Sequence, residues 1–485
     1  MNKKLFSILL LMVILLTIAV GGCGKTEQPS QPGEEPQTQD ETTDDETQGE
    51  EPQEQTEEQP KEVTIITWDK PGDTALPWQV DLYNEKMKLF REKYPWITVE
   101  DISIPPGTDY RQKYDQALLA GEEPTVTAMF PYVDIPTRAK DGSIGDITEF
   151  VENWDLRKEG KVFTGFDDAI QIDGRWYAVP YMPYQQHIVI NKKLIKDAGL
   201  DPENIPTTWE EFGEFCAQIT DTSKNRFGFG LMGMEWCAWP YTNFVWNAGG
   251  EMGVQNPDGT WKLTFAEQPG VDAAMFWHDL VWKYKCTQKN VLESYDDLFA
   301  DFVQGRTAMQ WGGISGYIND YVNKYGGDIN DLDLMTTPAK EGCESYNLAG
   351  GETYTISPNA TPEQREAAWL YIQFMGYDLE ILELTAKVSA ENGSPIFRPF
   401  GRIDFQPLDY AEGIPEAWKQ KLTDLSATAK PEPWMPHWND VKNALVKPLQ
   451  TIILTEDMTP EKAKELLEQC AEDLYAKYPD TFKKE

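Results

Sequence analysis

Strand and helix patterns alternate along the chain from Val63 onward, and this alternation constrains the fold more than any other feature. The strand patterns fall at 63–68, 97–104 and 126–130, and the helical stripes between them stop at Pro95 and Gly121. Successive strands joined by helices pair in parallel through right-handed crossovers. The sequence therefore predicts an α/β fold that begins near residue 62.

A chain of 485 residues is longer than one ordinary domain, so we expect two lobes. A capping box formed by Thr207 and Glu210 predicts the start of one helix in the later part of the chain. Further helices are predicted at 271–283, 296–305, 361–375 and 460–474, with a short strand at 332–337.

The stretch 173–192 contains a strand that is interrupted once. Asp173 and Gly174 form a turn dipeptide, Pro180 interrupts the strand pattern, and a β-branched apolar run resumes at 187–190. Such a strand fits a crossing between two lobes. It fits an ordinary edge strand with a proline bulge as well, and the residues alone leave both interpretations open.

The charge balance excludes some partners. The formal net charge is −38, so nucleic acid and anionic membrane surfaces would be repelled. The chain also has 17 Trp, 21 Tyr and 20 Phe, which either fill large cores or form a surface that stacks on a ligand.

The N-terminus has the organisation of a signal peptide. Lys3 and Lys4 precede an apolar run at 5–20, which is too short to span a membrane comfortably. Residues 20–23, Val-Gly-Gly-Cys, resemble a bacterial lipobox, so we expect a signal peptide at 1–22 and a lipid on the sulfur of Cys23.

An acidic segment follows Cys23. Residues 26–60 contain thirteen acidic residues, no basic residue and no Val, Ile, Leu, Met, Phe, Trp or Tyr. Such a composition cannot bury a core. We therefore interpret 23–61 as a lipidated cysteine followed by a disordered tether.

Cysteine and histidine usage indicates neither a metal nor a cofactor. With Cys23 set aside, five cysteines remain without a CxxC pair, so at least one thiol should be free. The three histidines are scattered, and the acidic run at 328–333 lacks the spacing and the glycine of an EF-hand loop. No cofactor is expected.

Several motifs resemble, in chain order, the carbohydrate-binding extracellular solute-binding proteins of ABC importers, the maltose-binding-protein-like group. The motifs are TIITWDK at 64–70, VTAMFPYVD at 126–134, SIGDITEFV at 143–151, GRWYAVP at 174–180 with INKK at 190–193, PTTWEEF at 206–212, MEWCAWP at 234–240, NAGGE at 247–251 and FVQGRTAMQWGG at 302–313. The last motif departs from the family, since Ser315 and Tyr317 stand where the family often has Trp.

The resemblance implies a two-lobe periplasmic-binding-protein-like α/β fold with hinge strands between the lobes. The N-terminal lobe would comprise 62–179 and 338–378, and the C-terminal lobe 180–337 and 379–485. It also implies the ligand-binding residues Asp69, Lys70, Phe130, Tyr132, Asp134, Tyr184, Glu235, Trp236, Trp311, Glu352, Trp434, Trp438 and Lys442. Residues of the two lobes would face each other across the ligand, because only a ligand that binds the closed form better can close the lobes.

The segment 431–445 resembles the family's late aromatic element. Three prolines stiffen the approach to Trp438, so an aromatic ring held there loses little entropy when a sugar stacks on it. Lys442, one turn further on, would bond sugar hydroxyls. Alternatively, Trp434 and Trp438 fill the lobe interface.

The functional hypothesis is a lipid-anchored protein that binds a carbohydrate, of oligosaccharide size, and delivers it to the permease subunits of an ABC importer. It would be a monomer on the outer face of the cytoplasmic membrane. The alternatives are a lipid-anchored glycoside hydrolase, whose two carboxylates cannot be identified by counting, and a binder of non-sugar solutes on the same fold. We find no GxSxG, HExxH or nucleotide-binding motif, which favours a binding protein over an enzyme.

Overall fold

The computed structural model describes residues 61–105, 108–412, 414 and 416–484. The predicted signal peptide, Cys23 and the acidic segment lie outside these residues, apart from Lys61. Within the described part of the chain, no helix is both long enough and apolar enough to cross a bilayer.

The strands are short and spread over the whole folded region. They are β1 (Val63–Thr67), β2 (Ile97–Asp101), β3 (Val126–Pro131), β4 (Gln171–Ile172), β5 (Arg175–Trp176), β6 (Val179–Gln185), β7 (His187–Asn191), β8 (Phe227–Gly230), β9 (Gly253–Gln255), β10 (Trp261–Leu263), β11 (Thr307–Gly312), β12 (Leu332–Met335), β13 (Asn347–Ile356) and β14 (Ala429–Pro431).

The α-helices occupy most of the intervening sequence. They are α1 (Pro77–Lys93), α2 (Tyr110–Ala120), α3 (Ile135–Asp141), α4 (Thr148–Asn153), α5 (Asp155–Lys158), α6 (Asp167–Ile170), α7 (Lys192–Asp197), α8 (Trp209–Ile219), α9 (Ala238–Trp246), α10 (Gln268–Trp282), α11 (Tyr295–Val303), α12 (Ile314–Ile318), α13 (Pro362–Tyr377), α14 (Leu379–Glu391), α15 (Glu416–Ser426), α16 (Trp438–Leu454) and α17 (Pro460–Lys477).

The first strands confirm the predicted α/β alternation, with one change in pairing. Strand β1 pairs in parallel with β2, from Val63 opposite Ile97 onward. Strand β3 pairs instead in antiparallel fashion with β13, although Thr125 just before it donates its N–H to the carbonyl of Ile66 in β1 at 2.8 Å. The partner strand β13 comes from more than 200 residues later, and local periodicity carries no information about it.

A second sheet has the strand order β12, β7, β11, β8. Its strand β7 pairs in antiparallel fashion with both β11 and β12, and all five of its residues are buried. A continuous apolar run of this kind is typical of a strand covered on both faces.

The stretch that contains β6 and β7 crosses between the two sheets. Strand β6 pairs with β13, β7 belongs to the second sheet, and only Gln186 separates them. The backbone N–H of Gln186 donates to the carbonyl of Leu348 at 2.8 Å and so ties the crossing to β13. The stretch is thus a crossing between two sheets, and β6 is also an edge strand whose pairing with β13 shifts register next to Pro180.

Two helix starts test the predicted caps. The helix predicted to start at Thr361 does so with a capping box, because the side chains of Thr361 and Gln364 each accept a hydrogen bond from the other residue's backbone N–H at 3.2 and 3.1 Å. The box predicted at Thr207 is wrong by one residue. Thr208 is the N-cap of α8. Thr207 lies before the helix, where its carbonyl accepts a hydrogen bond from the N–H of Ala339 in a distant segment.

The described residues of 394–428 pack against the second sheet and against α14. Phe397 and Trp418 join a core cluster with Val189 of β7 and Leu334 of β12. Phe400 and Phe405 pack instead against Leu382 and Ala386 of α14, and α14 contacts α1 and α13.

The five cysteines of the described residues are free, and four of them are buried. Cys216 and Cys470 lie on the buried faces of α8 and α17, as their positions in the helical stripes predict.

Candidate functional site

A cavity of about 1010 Å³ lies where the two sheets meet. Its wall is formed by the junction of β6 and β7, the end of β11, the middle of β13 and parts of 397–429. Because the chain crosses between the two sheets at this wall, side chains from both sheets line the cavity.

Aromatic rings line one side of the cavity. Trp239 of α9 packs at right angles against Tyr184 of β6, with ring centroids 6.2 Å apart, and against Trp311 of β11 at 4.9 Å. The indole N–H of Trp311 donates to Oδ1 of Asn243 at 3.1 Å, which fixes the ring. Trp311 is only 2% exposed, so Trp239 is the more accessible of the two indoles.

An ion pair forms another part of the wall. The guanidinium of Arg398 pairs with Glu352 of β13 and donates to the carbonyl of Met182 at 2.8 Å. It also lies over the Tyr184 ring, 4.9 Å from the ring centroid. Burial raises the pKa of Tyr184 well above its ordinary value, so its hydroxyl stays protonated and can donate a hydrogen bond.

Gln186 and His187 form what we call the polar floor of the cavity. His187 is 2% exposed and Gln186 is 9% exposed. Among the described residues, neither ring nitrogen of His187 has a hydrogen-bond partner. Oε1 of Gln186 accepts no hydrogen bond from them either. Burial lowers the pKa of His187 to about 3, so the imidazole is neutral at physiological pH.

Trp236 and Glu235 lie near the cavity on the loop before α9, and both are exposed. The Trp236 ring is 49% exposed and lies 5.3 Å from the ring of Tyr295, which lines the cavity. Trp236 is therefore a large aromatic surface beside the cavity that nothing in the described part of the chain covers fully.

Three of the residues implied by the family resemblance line the cavity: Tyr184, Trp311 and Glu352. Asp69 and Lys70 do not. They follow β1, where both backbone N–H groups donate to Oδ1 of Asp101 at 3.0 Å. Burial, and then the nearby Asp101 carboxylate, raise the pKa of Asp69 to about 6, and the Tyr371 hydroxyl donates to it at 2.9 Å.

Phe130 and Tyr132 lie in the core and not on a binding surface, which corrects the expectation for both. Each is 1% exposed. The Phe130 ring is covered by the guanidinium of Arg138 at 3.9 Å, and Tyr132 stacks on Phe166 at 4.1 Å. The Tyr132 hydroxyl donates to the carbonyl of Glu432 at 2.6 Å, so it has no free hydrogen bond to offer a ligand.

Asp134 is 5% exposed and fully paired. It accepts hydrogen bonds from Nε of Arg111 at 2.6 Å and from Nδ2 of Asn439 at 2.5 Å. Its role in this structure is to join α2 and α16, which lie about 330 residues apart in the chain.

Trp438 and Lys442 are also committed to protein contacts. Trp438 is 1% exposed, and its indole N–H donates to Oε1 of Glu432 at 2.6 Å. Lys442 pairs with the same oxygen at 2.5 Å. Trp434 is partly buried against the main core. Trp438 thus lies inside the protein, whereas Trp434 keeps part of its surface exposed.

Sequence reasoning missed Trp239, the polar floor and Arg398. Trp239 lies in the MEWCAWP motif, three residues after the predicted Trp236, and one turn of helix brings it to the cavity. Gln186 and His187 lie in the crossing stretch itself, so their position was a usable signal. Arg398 carried none, because it belongs to a loop that only tertiary packing brings to β13.

A concave, aromatic-lined cavity between two sheets, with a few buried polar groups and a strand crossing beside it, is typical of a protein that binds a small solute. Residues 73–376, more than half of the chain, match the family model described as bacterial extracellular solute-binding protein. The chain belongs to this family. It is therefore a binding protein and not a glycoside hydrolase.

Individual relatives are distant. The chain is 24% identical over 215 residues to the diacetylchitobiose binding protein of Streptomyces coelicolor, which covers 44% of this chain and 45% of that protein. An ABC transporter solute binding protein from Thermotoga lettingae with bound α-D-tagatose is 23% identical, with a TM-score of 0.68 over 85% of this chain and 99% of that one. Maltose-bound MalE3 of T. maritima is 22% identical, with a TM-score of 0.67 over 85% and 99%. At these identities the structural likeness shows the fold.

Proposed function

We propose that the chain binds a carbohydrate of more than one ring outside the cytoplasm and delivers it to the permease subunits of an ABC importer. The observation that carries this proposal is the cavity between the two sheets, with Tyr184, Trp239 and Trp311 on one side. Aromatic rings support the apolar faces of sugar rings, and the polar side chains of the wall can bond hydroxyls.

The cavity size supports an oligosaccharide over a single sugar. Its volume of about 1010 Å³ lies at the upper end of the range of about 300 to 1,000 Å³ that proteins use for small ligands. Several relatives are named for carbohydrate or polyol ligands, among them diacetylchitobiose, tagatose and maltose, whereas one is named as a probable amino-acid binding protein. A binder of non-sugar solutes is the second candidate.

We propose further that the two sheets belong to two lobes that close around the ligand. The sequence-based boundary assigned residues from 379 onward to the C-terminal lobe. The contacts of α14 with α1 and α13 support moving Leu379–Glu391 to the N-terminal lobe. In this arrangement β6–β7, β12–β13 and the segment after α14 would be the crossings. A smaller radius of gyration with ligand, by small-angle scattering, would support closure.

The position on the outer face of the membrane is also part of the proposal. A diacylglycerol on Cys23 would supply two acyl chains, which suffice for stable anchoring where one chain does not. The acidic segment after it would act as the tether, and the protein would work as a monomer.

Titration of the purified protein with a glycan panel tests the function. The panel contains neutral oligosaccharides of glucose, xylose, mannose and N-acetylglucosamine with one to five rings, together with uronic acid dimers and trimers and an amino acid and peptide set. We expect a rise in melting temperature and saturable heat of binding with one neutral series, without new reducing ends. Saturation by a peptide or amino acid alone would overturn the carbohydrate assignment.

A further inference from the structure

We propose that the polar floor, Gln186 and His187, hydrogen-bonds adjacent hydroxyl groups of an uncharged sugar and thereby determines which sugar the cavity accepts. This inference rests on the proposed carbohydrate-binding function and deepens it, because it assigns specificity to two named side chains.

The first support is the position of the two residues at the crossing. Gln186 is the single residue between β6 and β7, and its backbone is fixed by the 2.8 Å hydrogen bond to Leu348. His187 is held by its pairing with Gly312 in β11. Side chains on such fixed backbone lose little freedom when they bind a ligand, which is what a selective contact requires.

The second support is their unsatisfied hydrogen-bonding capacity. Both ring nitrogens of His187 and Oε1 of Gln186 lack partners among the described residues, although both side chains are at least nine-tenths buried and line the cavity. Buried polar groups are nearly always paired in folded proteins. A ligand hydroxyl in the cavity would supply the missing partners.

Gly313 leaves the space in front of Gln186 open. A Cβ on Gly313 would lie 3.4 Å from Oε1 of Gln186, which is ordinary contact with the atom that lacks a partner. A longer side chain at this position would extend into the space beside that oxygen, so glycine preserves access to it.

The available chemistry selects a neutral, hydroxyl-bearing ligand. A neutral imidazole has one N–H donor and one acceptor, and the Gln186 amide oxygen accepts a second hydrogen bond. A hydroxyl group both donates and accepts, so two neighbouring hydroxyls match this set. The cations in the cavity wall are paired, Arg398 with Glu352 and Lys419 with Asp409, which leaves a uronic acid carboxylate without a free counter-charge there.

The other buried histidine, His278, has a hydrogen-bond partner for one ring nitrogen, whereas among the described residues His187 has none for either. His278 of α10 is 7% exposed, and its Nε2 lies 3.1 Å from the carbonyl of Thr455, a protein partner. It does not line the cavity. His278 is thus a matched control for the loss of a buried imidazole.

The test compares affinities for the tightest neutral oligosaccharide of the panel and its monodeoxy analogues. We expect wild type to lose tenfold or more in affinity when one particular hydroxyl is removed. His187→Leu should bind the parent sugar tenfold or more weakly and no longer distinguish it from that analogue. His278→Leu should keep the wild-type distinction. Uronic acid oligomers should bind wild type at least tenfold more weakly than the neutral sugar.

Two variants guard against loss of fold. His187→Asn keeps a donor and an acceptor, and Gln186→Met keeps the side-chain length while removing the amide. The melting curves of these two variants and of His187→Leu show which of the three are folded and can be compared. Retention of the full deoxy-sugar discrimination in folded His187→Leu or folded Gln186→Met would overturn the inference while the carbohydrate function stands. A wild type that binds no sugar of the panel overturns both, and the two failures are thereby distinguished.

Discussion

The indole N–H of Trp438 and the carboxylate of Glu432 form a buried 2.6 Å hydrogen bond. Glu432 is 3% exposed and accepts a second hydrogen bond from Lys442 on the same oxygen. An ionised carboxylate at such depth requires these partners, because an unpaired buried charge is strongly destabilising. Trp438 and Lys442 thus stabilise the fold, and this assignment separates them from residues that line the cavity.

Substitution of Trp438 tests that separation. Trp438→Ala removes a large buried ring and one partner of Glu432, so we expect the free energy of unfolding to fall by about 3 to 5 kcal/mol. Sugar affinity of the protein that remains folded should change less than about threefold. Urea denaturation and calorimetric titration measure the two quantities. A more than tenfold loss of affinity with unchanged stability would show instead that Trp438 contacts the sugar.

Trp236 makes the opposite prediction. Its ring is half exposed beside Tyr295, so Trp236→Ala should weaken sugar binding by about tenfold, since aromatic anchors contribute on the order of 1 to 2 kcal/mol. Stability should change by less than about 0.5 kcal/mol. Tyr325→Ala is the matched control, because Tyr325 is 46% exposed and does not line the cavity. Equal affinities for the two variants would contradict a ligand contact by Trp236.

Asp69 should make stability depend on pH. Its pKa is about 6 in the folded protein because of burial and the neighbouring Asp101, against an ordinary value of 3.8. Between these values the folded state binds more protons than the unfolded state, so this residue's contribution to stability falls as pH rises from about 4 to 6. Above pH 6 the penalty is complete and constant.

The variant Asp69→Asn imitates the protonated side chain and can still accept the hydrogen bond of Tyr371. We expect it to be more stable than wild type at pH 7.5, by on the order of 1 kcal/mol, and equally stable at pH 4. Melting curves at the two pH values measure this. Lower stability of the variant at pH 7.5 would show that the charged form is favoured in the fold.

The lipid anchor can be tested on the living cell. Wild type should incorporate labelled palmitate and fractionate with membranes, whereas Cys23→Ala should lose the label because the next cysteine in the chain is Cys216, far from the lipobox-like residues. Cys343→Ala, which removes the partly exposed cysteine of the folded region, should keep the label. Membrane association of the Cys23→Ala variant equal to wild type would argue for a different anchor.

Much of the local structure followed from the sequence, because it depends on neighbours in the chain. Helix α2 begins and ends where the pattern predicts, with Asp109 accepting from two backbone N–H groups at one end and Gly121 at a φ of 71° at the other. Both features are settled within four residues of the helix end. The first parallel strand pair followed from spacing in the same way, whereas at β6–β7 the residues alone left a crossing and an edge strand both open.

The cavity was predictable only in part. Of the ligand-binding residues that the family resemblance implies, Tyr184, Trp311 and Glu352 line it, and the crossing stretch contains the polar floor. Tyr132 and Trp438, by contrast, are buried in the main core, and both donate hydrogen bonds to Glu432, which lies 300 residues from the first and six from the second. A motif specifies which aromatic residues are present. Whether a ring faces a ligand or the core depends on the distant backbone and charges that pack against it, and only the tertiary structure brings those groups together.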